Sequence, residues 1–227
     1  MRVLLADKFP TSDLEALSGD GHDCDLKPDL NGDTLPGAIG NAEILVVRST
    51  PVTRATVDAG PSLCLIIRAG AGTNSIDTQA ATEREIRVCN VPGRNAAAVA
   101  ELVIGLIIAI DRNIPDNVAD LRAGRWNKKR YSAARGLYGR SLGLVGLGAV
   151  GLAVLERARG FGFEMRVIEK LGRAAEVQQR LREMGVRTVP NLDDLIDQSD
   201  ILSFHLPAVP ETRGMVNSKF LEKLHPG

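Results

Sequence analysis

The stretch Gly146-Leu147-Gly148-Ala149-Val150-Gly151 decides the fold of this 227-residue chain. It follows an apolar run, Ser141–Val145, that predicts a buried strand, and it opens a segment of helical periodicity over residues 152–159. A second apolar run ends at Glu169, which lies 18 residues after the last glycine. A strand, a glycine-rich turn, a helix and an acid at this distance are together typical of a dinucleotide-binding βαβ unit.

The glycines and the start of the helix each have a physical role in such a unit. Gly146 permits the tight turn, Gly148 lets backbone N–H groups approach a pyrophosphate, and Gly151 lets the helix pack closely on the strand. The N-terminus of the helix that follows then favours the phosphate charge, and Ala149 and Val150 are predicted to bind the cofactor together with the three glycines. The sequence therefore predicts a site for NAD.

Glu169 has two interpretations. It can accept hydrogen bonds from the adenosine ribose, or it can be a solvated residue at the end of a strand. The spacing from the glycine turn favours the ribose. Lys170 beside it could soften the discrimination against a 2′-phosphate, but NAD remains the predicted cofactor.

Composition is that of a globular protein, with 44% hydrophobic and 25% charged residues. The net charge of zero gives no field that would attract nucleic acid or an anionic membrane. Cys24, Cys64 and Cys89 have the spacing of neither a disulfide framework nor a metal site, which favours a reducing cytoplasm. The longest apolar run, residues 102–110, is too short to span a bilayer. We therefore expect a soluble cytoplasmic protein without a metal.

The first 90 residues alternate short β-rich runs with helical segments, which predicts a parallel sheet with helices on its faces. A second module begins near Asn95 with a long helix, Ala96–Asp111, that we expect to be buried on most sides. A polar, glycine-containing stretch, residues 116–139, follows this helix. Predicted strands are 2–6, 23–26, 44–48, 63–68, 87–90, 142–145, 166–169, 186–189 and 201–204. Predicted helices are 12–17, 53–59, 77–84, 96–111, 152–159, 174–184, 192–196 and 218–224.

Several spaced motifs run in order from about Ile44 to Gly227. They are Val47-Arg48-Ser49, Arg68-Ala69-Gly70-Ala71-Gly72-Thr73-Asn74-Ser75-Ile76-Asp77, Asn90-Val91-Pro92-Gly93-Arg94-Asn95, Ala100-Glu101, Ala123-Gly124-Arg125-Trp126, Ser199-Asp200-Ile201, His205-Leu206-Pro207, Thr212 and Asn217. With these motifs the chain resembles the D-isomer-specific 2-hydroxyacid dehydrogenases, most closely their 3-phosphoglycerate dehydrogenase branch.

The resemblance implies an α/β fold with two domains, each with a parallel sheet. A flavodoxin-like substrate domain would occupy residues 1–94 and a Rossmann-like NAD-binding domain residues 95–227, with the active site in the cleft between them. Members of the family pass a hydride between C2 of a 2-hydroxy acid and nicotinamide. The resemblance therefore implies NAD as cofactor and a small anionic 2-hydroxy or 2-oxo acid as substrate.

The resemblance also implies site residues. His205, Leu206, Pro207 and Thr212 would join the glycine turn and Glu169 in holding the cofactor. Ala69, Gly70, Ala71, Asn95, Arg48 and Ser49 would contact the substrate. The small residues 69–72 can form a cradle of backbone N–H groups for the substrate carboxylate, or they can be a strand-to-helix turn that needs positive φ. Arg48 and Ser49 can bind the far end of an anionic substrate such as a phosphate, or Arg48 can be a surface residue at a strand end.

The chain departs from the family in two respects. The family usually has Asp, preceded by an aromatic residue, where this chain has Ile168-Glu169. The family's catalytic Arg, Glu and His would all lie beyond Gly227, and neither His205 nor His225 is expected to replace the catalytic base. We therefore expect a nucleotide domain truncated after its fourth strand, residues 201–204, and a chain that is inactive alone.

Seven Lys and Arg residues lie between Arg122 and Arg140 without an acid among them, interleaved with Trp126, Tyr131 and Tyr138. Such a run can bind nucleic acid. In the family this segment is instead an arm of the dimer contact, so the resemblance implies a homodimer through the region from Ala96 to Gly139. Two alternatives to a phosphoglycerate dehydrogenase remain open, a glyoxylate or hydroxypyruvate reductase and a non-catalytic, corepressor-like NAD-binding module.

Overall fold

The computed structural model describes residues 1–225, so residues 226 and 227 of the predicted second domain lie outside the described residues. The chain divides into two compact units, Met1–Arg94 and Asn95–Gly227. Over the described residues, no helix has the length and the apolar character needed to cross a membrane.

Within residues 1–94, all of which the structure describes, five strands alternate with four helices. In chain order they are β1 (Arg2–Leu5), α1 (Thr11–Gly19), β2 (Asp23–Leu26), α2 (Leu35–Ala38), β3 (Ile44–Val47), α3 (Arg54–Ala59), β4 (Leu65–Arg68), α4 (Thr78–Glu83) and β5 (Arg87–Asn90). The strands form one sheet in the order β2-β1-β3-β4-β5, and every pair is parallel. This is the flavodoxin-like order, so the predicted fold of the first unit is confirmed.

Burial explains why the central strands of this sheet read as apolar runs. Leu4, Leu45 and Ile66, on three neighbouring strands, are each at most 2% exposed. A parallel sheet covered by helices on both faces buries both faces of its central strands, so polar positions move to the edges. Asp23 and Asp25 accordingly lie on the edge strand β2.

Helix α2 was not predicted. It is a single turn that contains Pro36 and Gly37, two residues that usually indicate a loop. Leu35 holds it in place with a side chain that is 0% exposed. Proline is tolerated in the first turn of a helix because its missing N–H has no partner there, so burial of Leu35 outweighs the local signal.

Residues 95–225 form seven helices and four strands. They are α5 (Ala96–Asp111), α6 (Ile114–Arg122), α7 (Lys128–Tyr131), β6 (Ser141–Val145), α8 (Ala149–Arg159), β7 (Glu164–Ile168), α9 (Ala175–Glu183), β8 (Arg187–Val189), α10 (Leu192–Asp197), β9 (Ile201–Phe204) and α11 (Ser218–Leu221). Their sheet has the order β8-β7-β6-β9 and is parallel throughout. This order is the 3-2-1-4 part of a Rossmann sheet, and the predicted fold class is confirmed.

The expectation that α5 is buried on most sides is wrong. Three of its buried residues, Ala100, Ile104 and Ile107, belong to the same core cluster as residues of α8. On other faces of α5, Leu106 is 52% exposed and Ile110 is 76% exposed. An apolar sequence does not by itself reveal which of its faces the fold covers, and α5 retains an exposed apolar stripe.

The stretch 116–139, interpreted as merely polar, contains most of α6 and all of α7. Asn113 adopts a left-handed conformation, with φ of 49°, that separates α6 from α5. Asp120 is 8% exposed and accepts hydrogen bonds from the Tyr131 hydroxyl at 2.6 Å and from the Arg125 guanidinium. Polar side chains therefore organise this segment, which is why apolar periodicity did not reveal its helices.

Candidate functional site

The glycine turn connects β6 to α8 by a close approach of backbone atoms. Gly146 has φ of +104°, and a Cβ there would overlap the carbonyl group of His205. A Cβ at Gly151 would overlap the carbonyl oxygen of Gly146. Both positions require glycine, because any side chain would push the helix or the end of β9 away from the turn.

Gly148 differs from the other two glycines. A Cβ at this position would have no atom within 4 Å, and its φ of −76° is accessible to other residues. Neither packing nor conformation requires glycine here. What a missing side chain provides is open space in front of the first turn of α8, which has no side-chain cap among the described residues. The first N–H groups of a helix lack partners within it, so Ala149 and Val150 are placed to present backbone N–H groups to an anion.

A cleft of about 610 Å³ adjoins this turn, within the usual size range of ligand pockets. It lies where the carboxyl ends of β6 and β7 meet the loop after β9. The chain runs from β6 to β7 and β8 on one side of the sheet and returns to β9 on the other, so this is a topological switch point. Predicted cofactor residues that line the cleft are Gly146, Gly148, Glu169, His205, Leu206 and Pro207.

The end of β7 forms one wall of the cleft. Strand β7 ends at Ile168, one residue earlier than predicted, so Glu169 is the first residue of the loop. Its backbone N–H donates to the carbonyl of Val189 at 2.7 Å, while its side chain is exposed. Lys170 and Arg173 line the same wall and were not predicted as site residues, although Lys170 was noted beside Glu169. This end of the cleft thus carries one carboxylate and two cations.

His205 forms the opposite wall. Its backbone N–H donates to the carbonyl of Val145 at 2.7 Å, and its Nε2 lies 2.9 Å from the Ser203 hydroxyl. Burial lowers the pKa of His205, so the ring is predominantly neutral at neutral pH. A neutral imidazole of this kind can pack against a ligand and exchange hydrogen bonds with it.

Thr212, another predicted cofactor residue, is not among the residues that line this cleft. Its hydroxyl donates to the carbonyl of Pro207 at 2.6 Å and accepts from the Val209 N–H at 3.2 Å. Thr212 lines a smaller adjoining cavity of about 330 Å³. These bonds indicate that it stabilises the 207–212 loop, and a direct contact with the cofactor remains a prediction.

The predicted substrate residues of the first unit follow two neighbouring strands. Arg48 and Ser49 come after β3, and the loop Ala69-Gly70-Ala71 comes after β4, whose Arg68 is the Cα partner of Val47. Parallel strands end at one edge of a sheet, so these residues lie together. Asn95 belongs to the second unit, at the N-cap of α5, where its side chain makes no capping hydrogen bond.

The 69–71 loop offers fewer free N–H groups than expected. Those of Ala69 and Gly70 donate to the carbonyls of Val47 and Arg68, each at 2.7 Å. The missing side chain of Gly70 has a different effect, because a Cβ there would overlap the Arg68 guanidinium. The loop therefore accommodates Arg68, which was part of a quoted motif but not a predicted site residue.

Asp7 organises the loop after β3 and was missed by the sequence interpretation. Its Oδ2 accepts from the backbone N–H groups of Arg48 at 2.6 Å, Ser49 at 3.1 Å and Thr50 at 3.2 Å. Burial raises the pKa of Asp7, but these hydrogen bonds outweigh it and leave the pKa below its ordinary value of 3.8. Because Asp7 occupies these N–H groups, only side chains of the loop can reach an external anion. The one available signal was an acidic residue directly after the first predicted strand, 2–6.

Comparisons with known proteins agree with this geometry. Residues 104–227 match the family described as D-isomer specific 2-hydroxyacid dehydrogenase, NAD binding domain. The chain is 35% identical to D-3-phosphoglycerate dehydrogenase of Methanocaldococcus jannaschii over 95% of its own length and 40% of that relative. It is 38% identical to hydroxypyruvate reductase of Thermotoga maritima, with 87% and 62% covered. The structure matches the TT0316 protein from Thermus thermophilus with a TM-score of 0.85 and 27% identity, covering 100% of this chain and 71% of that one. The chain thus spans about two fifths of the length of the phosphoglycerate dehydrogenase.

Replacing Asp7 by Asn tests the role of this carboxylate in stability. The pKa of Asp7 is lower in the folded state than its ordinary value of 3.8. Ionised Asp7 therefore stabilises the fold fully at a pH above that ordinary pKa, and this stability is lost as the pH falls through the folded-state pKa. We expect Asp7→Asn to lower the free energy of unfolding at pH 7 by about 1–3 kcal/mol. In urea denaturation the difference from wild type should shrink below about pH 4. A difference independent of pH contradicts this account.

Proposed function

Because the chain belongs to the D-isomer-specific 2-hydroxyacid dehydrogenase family, whose NAD-binding domain matches residues 104–227, we propose that it acts in the NAD-dependent oxidation or reduction of a D-2-hydroxy acid or its 2-oxo counterpart. The observation that carries the proposal is the open space at Gly148, in a cleft that also contains Glu169. This combination suits a pyrophosphate and an adenosine ribose.

NAD fits the residues of this cleft. The pyrophosphate would lie against Gly148 and the N–H groups of Ala149 and Val150, and the ribose hydroxyls would donate to Glu169. Bound NAD supplies the hydride acceptor for oxidation of an alcohol carbon. Leu206 in the cleft wall contributes apolar surface that excludes water from one side of the ligand.

For the substrate we propose 3-phosphoglycerate. Two guanidinium groups, those of Arg48 and Arg68, stand at one edge of the first sheet at successive strand ends. Arg48 has an exposed side chain, with its Nη1 3.2 Å from the carbonyl oxygen of Lys8, and the Nε of Arg68 has no hydrogen-bond partner among the described residues. Two cations suit a substrate with two anionic ends, and a phosphate suits arginine geometry. Similarity to phosphoglycerate dehydrogenases supports this assignment.

Hydroxypyruvate is a second candidate substrate, favoured by the 38% identity to the Thermotoga maritima hydroxypyruvate reductase. It has a carboxylate but no phosphate, so it leaves one of the two arginines without an anion. Phosphoglycerate oxidation would place the protein in serine biosynthesis. We propose a cytoplasmic location, which the three cysteines, all free of disulfides, support.

We propose that the 227-residue chain binds the cofactor without catalysing the reaction alone. The histidine that lines the cleft, His205, shares its one side-chain hydrogen bond among the described residues with Ser203 rather than with a carboxylate. A general acid/base near neutral pH would need a pKa supported by such a carboxylate, and burial of His205 shifts its pKa in the opposite direction.

We also propose a homodimer through the region from Ala96 to Gly139. Leu102, Leu106 and Ile110 follow one another at helical spacing on α5 and are 62%, 52% and 76% exposed. An exposed apolar stripe of this kind is typical of an interface. The basic run is less suited to nucleic acid, because four of its arginines form ion pairs within the unit. These pairs are Arg125–Asp120, Arg130–Asp116, Arg135–Asp200 and Arg140–Asp111.

A valine at Gly148 tests the cofactor site. The position has room for a side chain, so Gly148→Val should fold, but its methyl groups would occupy the space proposed for the pyrophosphate. We expect the affinity for NADH, measured by calorimetry, to fall at least about tenfold. Gly19→Val, at another glycine with open space in the first unit, should bind NADH like wild type. Wild-type protein that does not bind NADH, or Gly148→Val that binds it normally, contradicts the proposal.

An Arg48 variant tests the proposed phosphate contact, and a comparison of the two ligands on wild type distinguishes the two substrates. With NADH present, Arg48→Met should weaken binding of 3-phosphoglycerate by about tenfold, through loss of one charge-assisted contact, and leave NADH affinity unchanged. The control is Arg87→Met at the start of β5, the opposite end of that strand from the proposed site. Tighter binding of hydroxypyruvate than of 3-phosphoglycerate by wild type would favour the second candidate.

A charge in the stripe on α5 tests the dimer. Leu106→Glu places a carboxylate in the middle of the stripe, where dimerisation would bury it without a partner. Sedimentation velocity should show a dimer for wild type and a monomer for this variant. Leu171→Glu makes the same change at a loop residue that is 93% exposed and should remain dimeric. A monomeric wild type, or a dimeric Leu106→Glu, refutes the interface.

A further inference from the structure

The end of the cleft at β7 carries more positive than negative charge. Glu169, Lys170 and Arg173 all line it, within one short loop between β7 and α9. None of the three forms an ion pair with another residue of the described part of the chain. Two cations and one carboxylate therefore face this end of the cleft without internal compensation.

Arg173 is incompletely satisfied in this loop. Its Nη2 donates to the carbonyl of Ile168 at 2.7 Å, which holds the guanidinium against the end of β7. Its Nη1 is shielded from water and has no hydrogen-bond partner among the described residues. Burial lowers the pKa of Arg173, yet guanidinium stays protonated at neutral pH. The Nη1 of this partly buried cation lacks an acceptor, and an anion that enters the cleft can supply one.

The position of these cations specifies which anion they would meet. At the end of the second strand of a dinucleotide-binding unit, an acid accepts from the ribose 2′-hydroxyl of NAD, whereas an arginine accommodates the 2′-phosphate of NADP. This chain has both kinds of group there. Gly172, with φ of +71°, lies between Lys170 and Arg173 in this loop, and all three residues line the cleft.

We propose that this cleft binds NADP(H) as well as NAD(H), with Lys170 and Arg173 as the residues that hold the 2′-phosphate. The inference rests on the proposed function, because it deepens the specificity of the same site. The Glu169 carboxylate is exposed and unpaired within the described chain, so its side chain can turn toward water when a phosphate replaces the hydroxyl. Two cations then outweigh the repulsion from one carboxylate.

Calorimetric titration of the full chain with NADH and with NADPH tests this proposal. We expect the two dissociation constants of wild type to agree within about tenfold. Lys170→Met and Arg173→Met should each weaken NADPH by about tenfold or more, through loss of one charge-assisted contact, and leave NADH within about twofold. Added salt should weaken NADPH more than NADH, since only NADPH brings the additional phosphate charge.

Three further variants serve as controls. Arg182→Met removes an exposed cation from α9 away from the cleft and should change neither affinity. Arg173→Lys keeps the charge and should restore part of the NADPH affinity. Glu169→Gln should weaken NADH and strengthen NADPH. If Arg173→Met fails to fold because it loses the bond to Ile168, the exposed Lys170 still decides the question.

The outcomes separate this inference from the proposed function. Wild type that binds NADH but binds NADPH more than about a hundredfold more weakly overturns the phosphate site alone. Equal losses for both cofactors in Lys170→Met also overturn it, because that residue would then act on a shared part of the ligand. Wild type that binds neither cofactor overturns the proposed function and this inference together.

Discussion

The second unit depends on one constraint, the contact between backbone atoms where β6 turns into α8. Gly151 lies against the carbonyl oxygen of Gly146, and Gly146 lies against the carbonyl group of His205. Side chains at either glycine would separate the helix from the sheet. The same contact brings the end of β9 to the turn, so that packing alone places the loop after β9 and the start of α8 around one cleft. Stability and the candidate site therefore depend on the same atoms.

In both sheets the candidate site residues lie at the carboxyl ends of parallel strands, but the groups that are free to bind an anion differ. In the second unit the turn is left open, with Gly148 offering space and uncapped N–H groups. In the first unit the corresponding backbone donors after β3 are already occupied by Asp7. An anion can therefore be held by backbone groups at the glycine turn, whereas the loop after β3 must use a side chain such as that of Arg48.

Much of the fold could be predicted from the sequence because buried parallel strands are short apolar runs between turn residues. Strands β2 and β5 have the predicted bounds. Sequence patterns did not reveal α6, whose helix is organised by polar contacts of Asp120, because periodicity records apolar burial only. Nor could they reveal Asp7, since its bonds join residues more than 40 positions apart in the chain. The glycine turn was predictable because its constraint is local. That both Lys170 and Arg173 line the cleft could be recognised only from the folded loop.

The most direct test of the central claim, that the glycine turn holds a dinucleotide, is to map backbone amide shifts by NMR while NADH is added. We predict that the largest changes occur at Gly148, Ala149 and Glu169, because these residues surround the proposed pyrophosphate and ribose. Changes confined to a separate cavity of the second unit, beside Asp200 and Phe220, with an unaffected glycine turn, would contradict it.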